Sequence, residues 1–176
     1  MLWRLFTEEL PTKNGFYIDV GAFHPRQYSN TWLLRKRLGF HGINIEPSEK
    51  SILQFIIRRR NDINLEVLIG RESGVSKYAY NEKEPAHSKI DENGYFMYKY
   101  SLSDVCSSYN VSSIDLLDID VEGYELPILE GHDWRISPKV IVCEINNEET
   151  DIFIRQKGYE LYGRTKRNGI YVQKND

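Results

Sequence analysis

The stretch IDLLDIDVEGYELPILEG (114–131) joins an apolar run to a row of acidic residues. Asp118, Asp120 and Glu122 occupy alternate positions in it. Alternate side chains of a β-strand point to the same side, so the pattern predicts three carboxylates together. Carboxylates this close raise one another's pKa, and one of them can then act as a base near neutral pH. Asp120 and Glu122 are therefore candidate catalytic bases.

Acidic residues also follow three other predicted strands. These strands are GFYIDVG (15–21), GINIEP (42–47) and KVIVCEI (139–145). Asp19, Glu46 and Glu144 stand at or near their carboxyl ends. Ligands of open α/β sheets bind beyond these ends, and an acid after the second strand can accept the hydroxyls of a ribose. The four strand ends therefore predict one site, with Glu46 as a candidate ribose ligand or, alternatively, a surface acid before Pro47.

The first turn, DVGAFHPRQYSNT, begins with Gly21, which allows a tight turn close to a ligand. Phe23, His24 and Pro25 follow where a dinucleotide fingerprint would have further glycines. This disfavours NAD and FAD, whose pyrophosphate needs close backbone approach, but allows a nucleoside ligand. His24 is a third candidate base, although a histidine here can also donate a hydrogen bond or pack.

Strands and helices must alternate to position these groups. Predicted helices cover NTWLLRKRLGF (30–40), SEKSILQFIIRRR (48–60) and residues 148–157, and INLEVLIG (63–70) is a predicted third strand. YELYGR and NGIYVQK form a predicted hairpin with its turn near 166–169. The pattern predicts an α/β fold: a mostly parallel central sheet, helices on both faces and a C-terminal antiparallel hairpin. The run RRR at 58–60 is interpreted as the solvated end of a helix.

Residues 81–100 are the least regular part of the chain and a candidate substrate lid or insertion. Its aromatic residues are Tyr95, Phe96, Tyr98 and Tyr100. They could form an apolar wall or stack on a sugar, or pack a strand edge. His87 in the same segment is a further group that could reach an acceptor.

The 176 residues are predicted to form a single domain, 1–176, with 40% hydrophobic residues and a net charge of −3. This charge gives no reason to expect a nucleic-acid partner. No apolar run reaches the length of a membrane span, and the N-terminal residues do not resemble a signal peptide. Cys106 and Cys143 lack the spacing of a zinc site and fit a reducing, cytoplasmic location.

Two other readings of the acidic residues stay open. Asp118-Ile119-Asp120 is a D-x-D triplet, such as a metal-dependent sugar-nucleotide transferase uses. Alternatively, Asp120, Glu122 and Glu144 could hold a divalent metal through oxygen ligands, which is possible but not expected. A non-catalytic module that keeps the fold is a third alternative.

The chain resembles the FkbM family of S-adenosylmethionine-dependent methyltransferases. The resemblance rests on YIDVGAFHPRQYSNT (17–31), GINIEP (42–47), DINLEVLIG (62–70), IDLLDIDVEGYELPILEG (114–131) and VIVCEI (140–145). It implies a Rossmann-like class I methyltransferase fold and S-adenosylmethionine as cofactor. It also implies methyl transfer to a hydroxyl of a sugar, glycan precursor or small metabolite, as in polysaccharide biosynthesis.

The resemblance also implies roles for individual residues. Asp19, Gly21 and Ala22 would line the methionine end of the cofactor. Ser29 and Asn30, whose default role is to cap the first helix, would lie beside it.

At the other end of the cofactor, Glu46 would bind the ribose and Ile69 would lie near the adenine. Asp120 would lie beside the sulfonium and the acceptor. The chain departs from many members at Asp118, where they have a lysine.

Overall fold

The structure is a computed structural model that describes residues 1–81 and 89–174. Its strands are β1 (Phe16–Val20), β2 (His41–Ile45), β3 (Ile63–Leu65), β4 (Leu68–Ile69), β5 (Gly74–Ala79), β6 (Lys89–Ile90), β7 (Tyr95–Tyr100), β8 (Leu116–Ile119), β9 (Val140–Glu144), β10 (Tyr159–Arg164) and β11 (Asn168–Gln173). Its α-helices are α1 (Leu2–Arg4), α2 (Thr31–Leu38), α3 (Glu49–Arg58), α4 (Leu102–Ser108), α5 (Glu125–Glu130) and α6 (Glu148–Gln156). A π-helical turn, Leu5–Glu9, continues α1.

The central sheet has seven strands in the order β10-β11-β9-β8-β1-β2-β3. Strands β9, β8, β1, β2 and β3 are parallel, and β11 pairs antiparallel with both β9 and β10. The predicted fold class is therefore confirmed, including the antiparallel hairpin at the end of the chain.

The inner strands β1, β8 and β9 are mostly apolar because side chains on both faces of the sheet are buried there. On one face, Ile18, Leu117 and Ile141 pack with residues of α4, α5 and α6. On the other face, Leu116 and Val142 pack with the N-terminal helical segment and α2. Side chains alternate along each strand, so neighbours in sequence contribute to different clusters. The result is a sheet covered on both sides, which holds its strand ends in fixed positions.

A second, smaller sheet has the strand order β4-β7-β5-β6. The prediction of one strand over 63–70 is wrong, because that segment divides into β3 of the central sheet and β4 of the second sheet. Strand β4 pairs with β7 through Leu68↔Lys99 and Ile69↔Tyr100. The second sheet therefore begins directly beside the carboxyl ends of the central strands.

The order of the central sheet reverses between β1 and β8. From β1 the chain continues outward to β2 and β3, and it returns on the other side of β1 at β8. Such a reversal leaves a crevice beyond the carboxyl ends of the two strands, where open α/β sheets bind ligands. In the described residues, no helix has the length and apolar character needed to cross a membrane.

Candidate functional site

A cavity of about 1050 Å³ opens at the point where the strand order reverses. Its walls come from the ends of β1, β2, β4 and β8 and from the turn between β10 and β11. All residues predicted to bind a cofactor line it: Asp19, Gly21, Ala22, Ser29, Asn30, Glu46, Ile69 and Asp120. Its volume lies at the upper end of the range for small-molecule sites, about 300–1,000 Å³. The structure thus brings these residues to one place.

Gly21 closes the wall of this cavity between β1 and β8. Its φ is +78°, a conformation that favours glycine, and a Cβ here would lie 2.0 Å from the backbone oxygen of Asp120. Its N–H donates to the carbonyl of Ile45 at 3.0 Å. Glycine is therefore required both by the turn and by the close approach of the two strand ends.

Glu46 lies at the end of β2 and is only 7% exposed. Its Oε2 accepts a hydrogen bond from the Phe23 N–H at 2.8 Å, and its Oε1 accepts one from the Ser48 N–H at 2.9 Å. Burial raises the pKa of this carboxyl to about 7, against the effect of the two backbone donors. Glu46 is thus an oriented carboxylate on the cavity wall, with lone pairs left over for a ligand's hydroxyl groups.

Asp19 and Asp118 are register partners on adjacent strands, and both side chains are buried. The Thr31 hydroxyl donates to Asp19 Oδ2 at 2.7 Å, and the Asn30 amide donates to Asp118 Oδ1 at 3.1 Å. Burial raises the pKa of Asp19, and burial together with the neighbouring Asp19 raises the pKa of Asp118 well above its ordinary value. These two acids give the cavity a wall that favours a cation.

Strand β8 ends at Ile119, so the predicted alignment of Asp118, Asp120 and Glu122 on one side is wrong. Glu122 instead has a left-handed backbone, with φ of +54°. Asp120 and Glu122 converge with Glu144, their carboxylate oxygens lying within 4.8 Å of one another. Among the described residues Asp118 does not belong to this group, so the two aspartates of the D-x-D triplet have different surroundings.

Asp120 is accessible from the cavity mouth, yet its pKa is raised to about 6. Partial burial is the largest cause, followed by the negative charges of Glu144 and Glu122. Arg167 Nη1 lies 3.9 Å from both glutamates and supplies a positive charge to the group. A carboxyl with this pKa can accept a proton near neutral pH.

The loop after β8 depends on an acid that the sequence pattern did not single out. Glu125 is 1% exposed, and its Oε1 accepts hydrogen bonds from the Val121 and Gly123 N–H groups at 3.3 and 3.0 Å. Glu125, and not Glu122, therefore accepts from the amides of this loop. The spacing E-G-x-E is the signal that could have identified it, because a side chain can reach back to amides two and four residues earlier.

The sequence predicted that Ser29 and Asn30, at the end of the turn between β1 and α2, cap the helix α2. Only Ser29 does so through its side chain. Ser29 Oγ accepts from the Trp32 N–H at 3.2 Å, whereas the Asn30 amide is directed to Asp118. Among the described residues that line the cavity, His24 is absent. Its Nδ1 accepts from the Arg26 and Gln27 N–H groups at 3.1 and 2.9 Å. In this structure His24 therefore stabilises the loop through hydrogen bonds to its backbone.

The prediction that the three arginines at 58–60 are all solvated is wrong for Arg59. Arg58 and Arg60 are exposed, but Arg59 is only 1% exposed and reaches under the first turn. A signal was present in the sequence: Ile52, Phe55 and Arg59 have the spacing i, i+3, i+7 of one helix face. Arg59 therefore continues the buried face of α3.

Among the described residues, three of the six non-glycine residues with a left-handed backbone line the cavity. Phe23, Tyr28 and Glu122 have φ of +53°, +58° and +54°, and all three line the cavity wall. A non-glycine residue in this conformation costs on the order of 1 kcal/mol, and such strain is commonest at functional sites. Tyr28 is also 93% exposed at the cavity mouth.

The candidate lid is described only in part, because residues 82–88, including His87, lie outside the described residues. Tyr78 and Ile90 of the second sheet line the cavity, as does Tyr80, which follows β5. Phe96 and Tyr98, both in the described part of the chain, do not line it and are 73% and 69% exposed. All four aromatic residues of the prediction lie on β7, which has a partner strand on each side, so they do not pack a strand edge, and none of the four is among the described residues that line the cavity.

The structure is thus that of an α/β protein with a cavity of small-molecule size at the carboxyl ends of a parallel sheet. The family described as Methyltransferase FkbM domain matches residues 19–161. The chain therefore belongs to the FkbM methyltransferase family, and the resemblance in its motifs is confirmed.

The chain is also similar in fold to a crystal structure of methyltransferase FkbM from Methylobacillus flagellatus. The TM-score is 0.59 at 17% sequence identity, and the match covers 90% of this chain and 43% of that chain. This chain thus corresponds to less than half the length of that protein. No curated protein matches the sequence significantly.

Proposed function

We propose that the protein is an S-adenosylmethionine-dependent methyltransferase whose acceptor is a hydroxyl of a sugar, a glycan precursor or a small metabolite. The observation that carries the proposal is the row of carboxylates around one cavity of a protein of the FkbM methyltransferase family. Asp19, Asp118, Glu46 and Asp120 all line it, and the pKa of each is raised by burial. Buried acids of this kind are stabilised when a cation joins them.

The residues of the cavity fit this cofactor in charge and in hydrogen bonding. Asp19 and Asp118 would face the ammonium and sulfonium charges, and Glu46 would accept the ribose hydroxyls. Apolar residues, among them Ile69 and Leu68, would enclose the adenine. When bound, S-adenosylmethionine supplies a methyl group that is activated by the neighbouring positive sulfur.

Asp120 is the base that we assign to the reaction. It lies at the cavity mouth with a pKa of about 6, so that near neutral pH most of it is ionised and able to accept a hydroxyl proton. Glu122 and Glu144 help to set this pKa, and Glu122 is the second candidate for the base. Their charges and Arg167 would also orient the acceptor.

We assign this activity to residues 1–176 as one domain, with a role in polysaccharide biosynthesis as the setting suggested by the family resemblance. The acceptor would enter between the turn at 165–168 and the second sheet, both of which contribute residues to the cavity wall.

The test is a methyl-transfer assay with the purified chain, S-adenosylmethionine and a panel of sugars, sugar nucleotides and oligosaccharides. Formation of S-adenosylhomocysteine together with a methylated product is the expected result. Asp120→Asn should lose activity while Glu72→Asn, an exposed acid away from the cavity, should not. Cofactor binding without turnover on any acceptor would favour a non-catalytic module, and sugar transfer from a nucleotide would refute the proposal.

A further inference from the structure

The loop between β1 and α2, residues 21–30, is tied from below by Arg59. Arg59 Nη2 donates to the carbonyl of Pro25 at 2.6 Å and to Ser29 Oγ at 2.9 Å. Its Nε donates to the same Pro25 carbonyl at 3.2 Å. One side chain thus holds the middle and the end of the loop.

The other side of the same guanidinium reaches the sheet. Arg59 Nη1 donates to Thr31 Oγ1 at 2.8 Å, to the Tyr17 hydroxyl at 3.0 Å and to Asn44 Oδ1 at 3.1 Å. Thr31 in turn donates to Asp19 on the cavity wall. The loop and the acid that it covers are therefore joined through a single buried cation.

Two buried carboxylates balance the charge of Arg59. Asp19 is linked to it through Thr31, and Asp62 is linked to it through the Tyr17 hydroxyl, which donates to Asp62 Oδ2 at 2.9 Å. Arg35 also pairs with Asp62 at 3.0 Å. The planar fork of the arginine side chain can donate in several directions at once, which matches the acceptors on the loop and on the sheet.

We infer that Arg59 is a positioning residue, which holds the β1–α2 loop in its binding conformation before any ligand arrives. The inference rests on the proposed function only in that the ligand of this loop is taken to be S-adenosylmethionine. A loop that is already ordered binds with a smaller loss of conformational entropy. Arg59 does not line the cavity and acts through Ser29, Thr31 and the backbone of Pro25.

The test compares Arg59→Lys with Arg60→Lys, the same change at the exposed next residue. Lysine keeps the charge opposite the buried aspartates but loses the fork, so the chain should fold. Binding of S-adenosylhomocysteine, measured by calorimetry, should weaken about tenfold or more in Arg59→Lys and stay unchanged in Arg60→Lys.

Amide hydrogen exchange without ligand gives a readout that a general loss of stability would not produce. The N–H groups of Phe23, Arg26 and Gln27 are hydrogen-bonded within the loop and its surroundings, and they should exchange slowly in the native chain. In Arg59→Lys they should exchange faster, while the amides of β1 keep their protection.

Native affinity and native exchange in Arg59→Lys would overturn the inference. If Arg59→Lys does not fold, the test is amide exchange in the native chain without ligand. Fast exchange of the three loop amides would then overturn the inference, and slow exchange would support it. Absence of S-adenosylhomocysteine binding by the native chain would refute the proposed function, while the exchange comparison would still test Arg59.

Discussion

Glu46 should make the ligand-free protein less stable as the pH rises from about 5 to about 8. Its pKa is about 7 in the folded chain and close to 4.5 when unfolded. Between these values the folded chain binds more protons than the unfolded chain, so the free energy of unfolding falls as the pH increases. This sign is opposite to that of a salt-bridged carboxylate, because here the charged form is the one that burial disfavours.

The size of the effect follows from the same two pKa values. Their difference corresponds to about 3 kcal/mol, of which about 2.5 kcal/mol falls between pH 5 and pH 8. Glu46 is 7% exposed, so solvent screening reduces this only slightly. Domains are stable by about 5–15 kcal/mol, and such a change is therefore measurable.

The assay is urea unfolding of the native chain and of Glu46→Gln at both pH values. Glutamine has the shape of the neutral acid but cannot ionise, so other titrating groups cancel in the comparison. The free energy of unfolding of the native chain should fall by about 2.5 kcal/mol relative to Glu46→Gln as the pH is raised. Glu72→Gln, a change at an exposed position, keeps Glu46, so its free energy of unfolding should fall with pH as that of the native chain does.

The reasoning would be refuted if the free energy of unfolding of the native chain, relative to that of Glu46→Gln, stayed constant between the two pH values. It would mean that the N–H groups of Phe23 and Ser48 stabilise the Glu46 carboxylate enough to offset its burial. A difference of opposite sign would mean that these donors outweigh burial.

Three further predictions concern the same cavity. Gly21→Ala should lower the free energy of unfolding by about 2 kcal/mol or more in urea, because its Cβ meets a backbone oxygen; Gly158→Ala, with a similar φ of +89° and no described heavy atom within 4 Å, should cost less. Asp120→Asn should lower kcat by about 10²–10⁴, and kcat/KM of the native enzyme should fall about tenfold per pH unit below about pH 6, as a pH–rate profile would show. Chelation with EDTA should leave the calorimetric affinity for S-adenosylhomocysteine unchanged, because Arg167 already faces Glu122 and Glu144; a loss restored by Mg²⁺ would contradict this.

The central fold was predictable because its determinants are local. The runs 15–21, 42–47 and 139–145 are apolar, short and bounded by turn residues, as buried parallel strands are. The acids at their ends could be assigned to one site, since the carboxyl ends of parallel strands lie at the same edge. Register then places Asp19 beside Asp118, which no local pattern states.

The parts that could not be predicted depend on contacts between distant segments. The run 63–70 reads as one strand, and it divides because β4 pairs with β7, about thirty residues later. Likewise, a run of three arginines normally indicates side chains exposed to solvent. Arg59 is instead buried, because it donates hydrogen bonds to acceptors on the turn after β1 and on β1 and β2 themselves. His24 had the residue type of a base, but the hydrogen bonds of its Nδ1 to Arg26 and Gln27 could be seen only in the folded loop.

The most direct test of the account is calorimetric titration of the native chain with S-adenosylmethionine and, separately, with S-adenosylhomocysteine. Both ligands should bind with micromolar affinity, and Glu46→Gln should weaken binding about tenfold or more, since a charge-assisted hydrogen bond contributes about 1.5–3 kcal/mol. Glu72→Gln should bind as the native chain does. No binding of either ligand, or equal binding by Glu46→Gln, would contradict the assignment of this cavity to the cofactor.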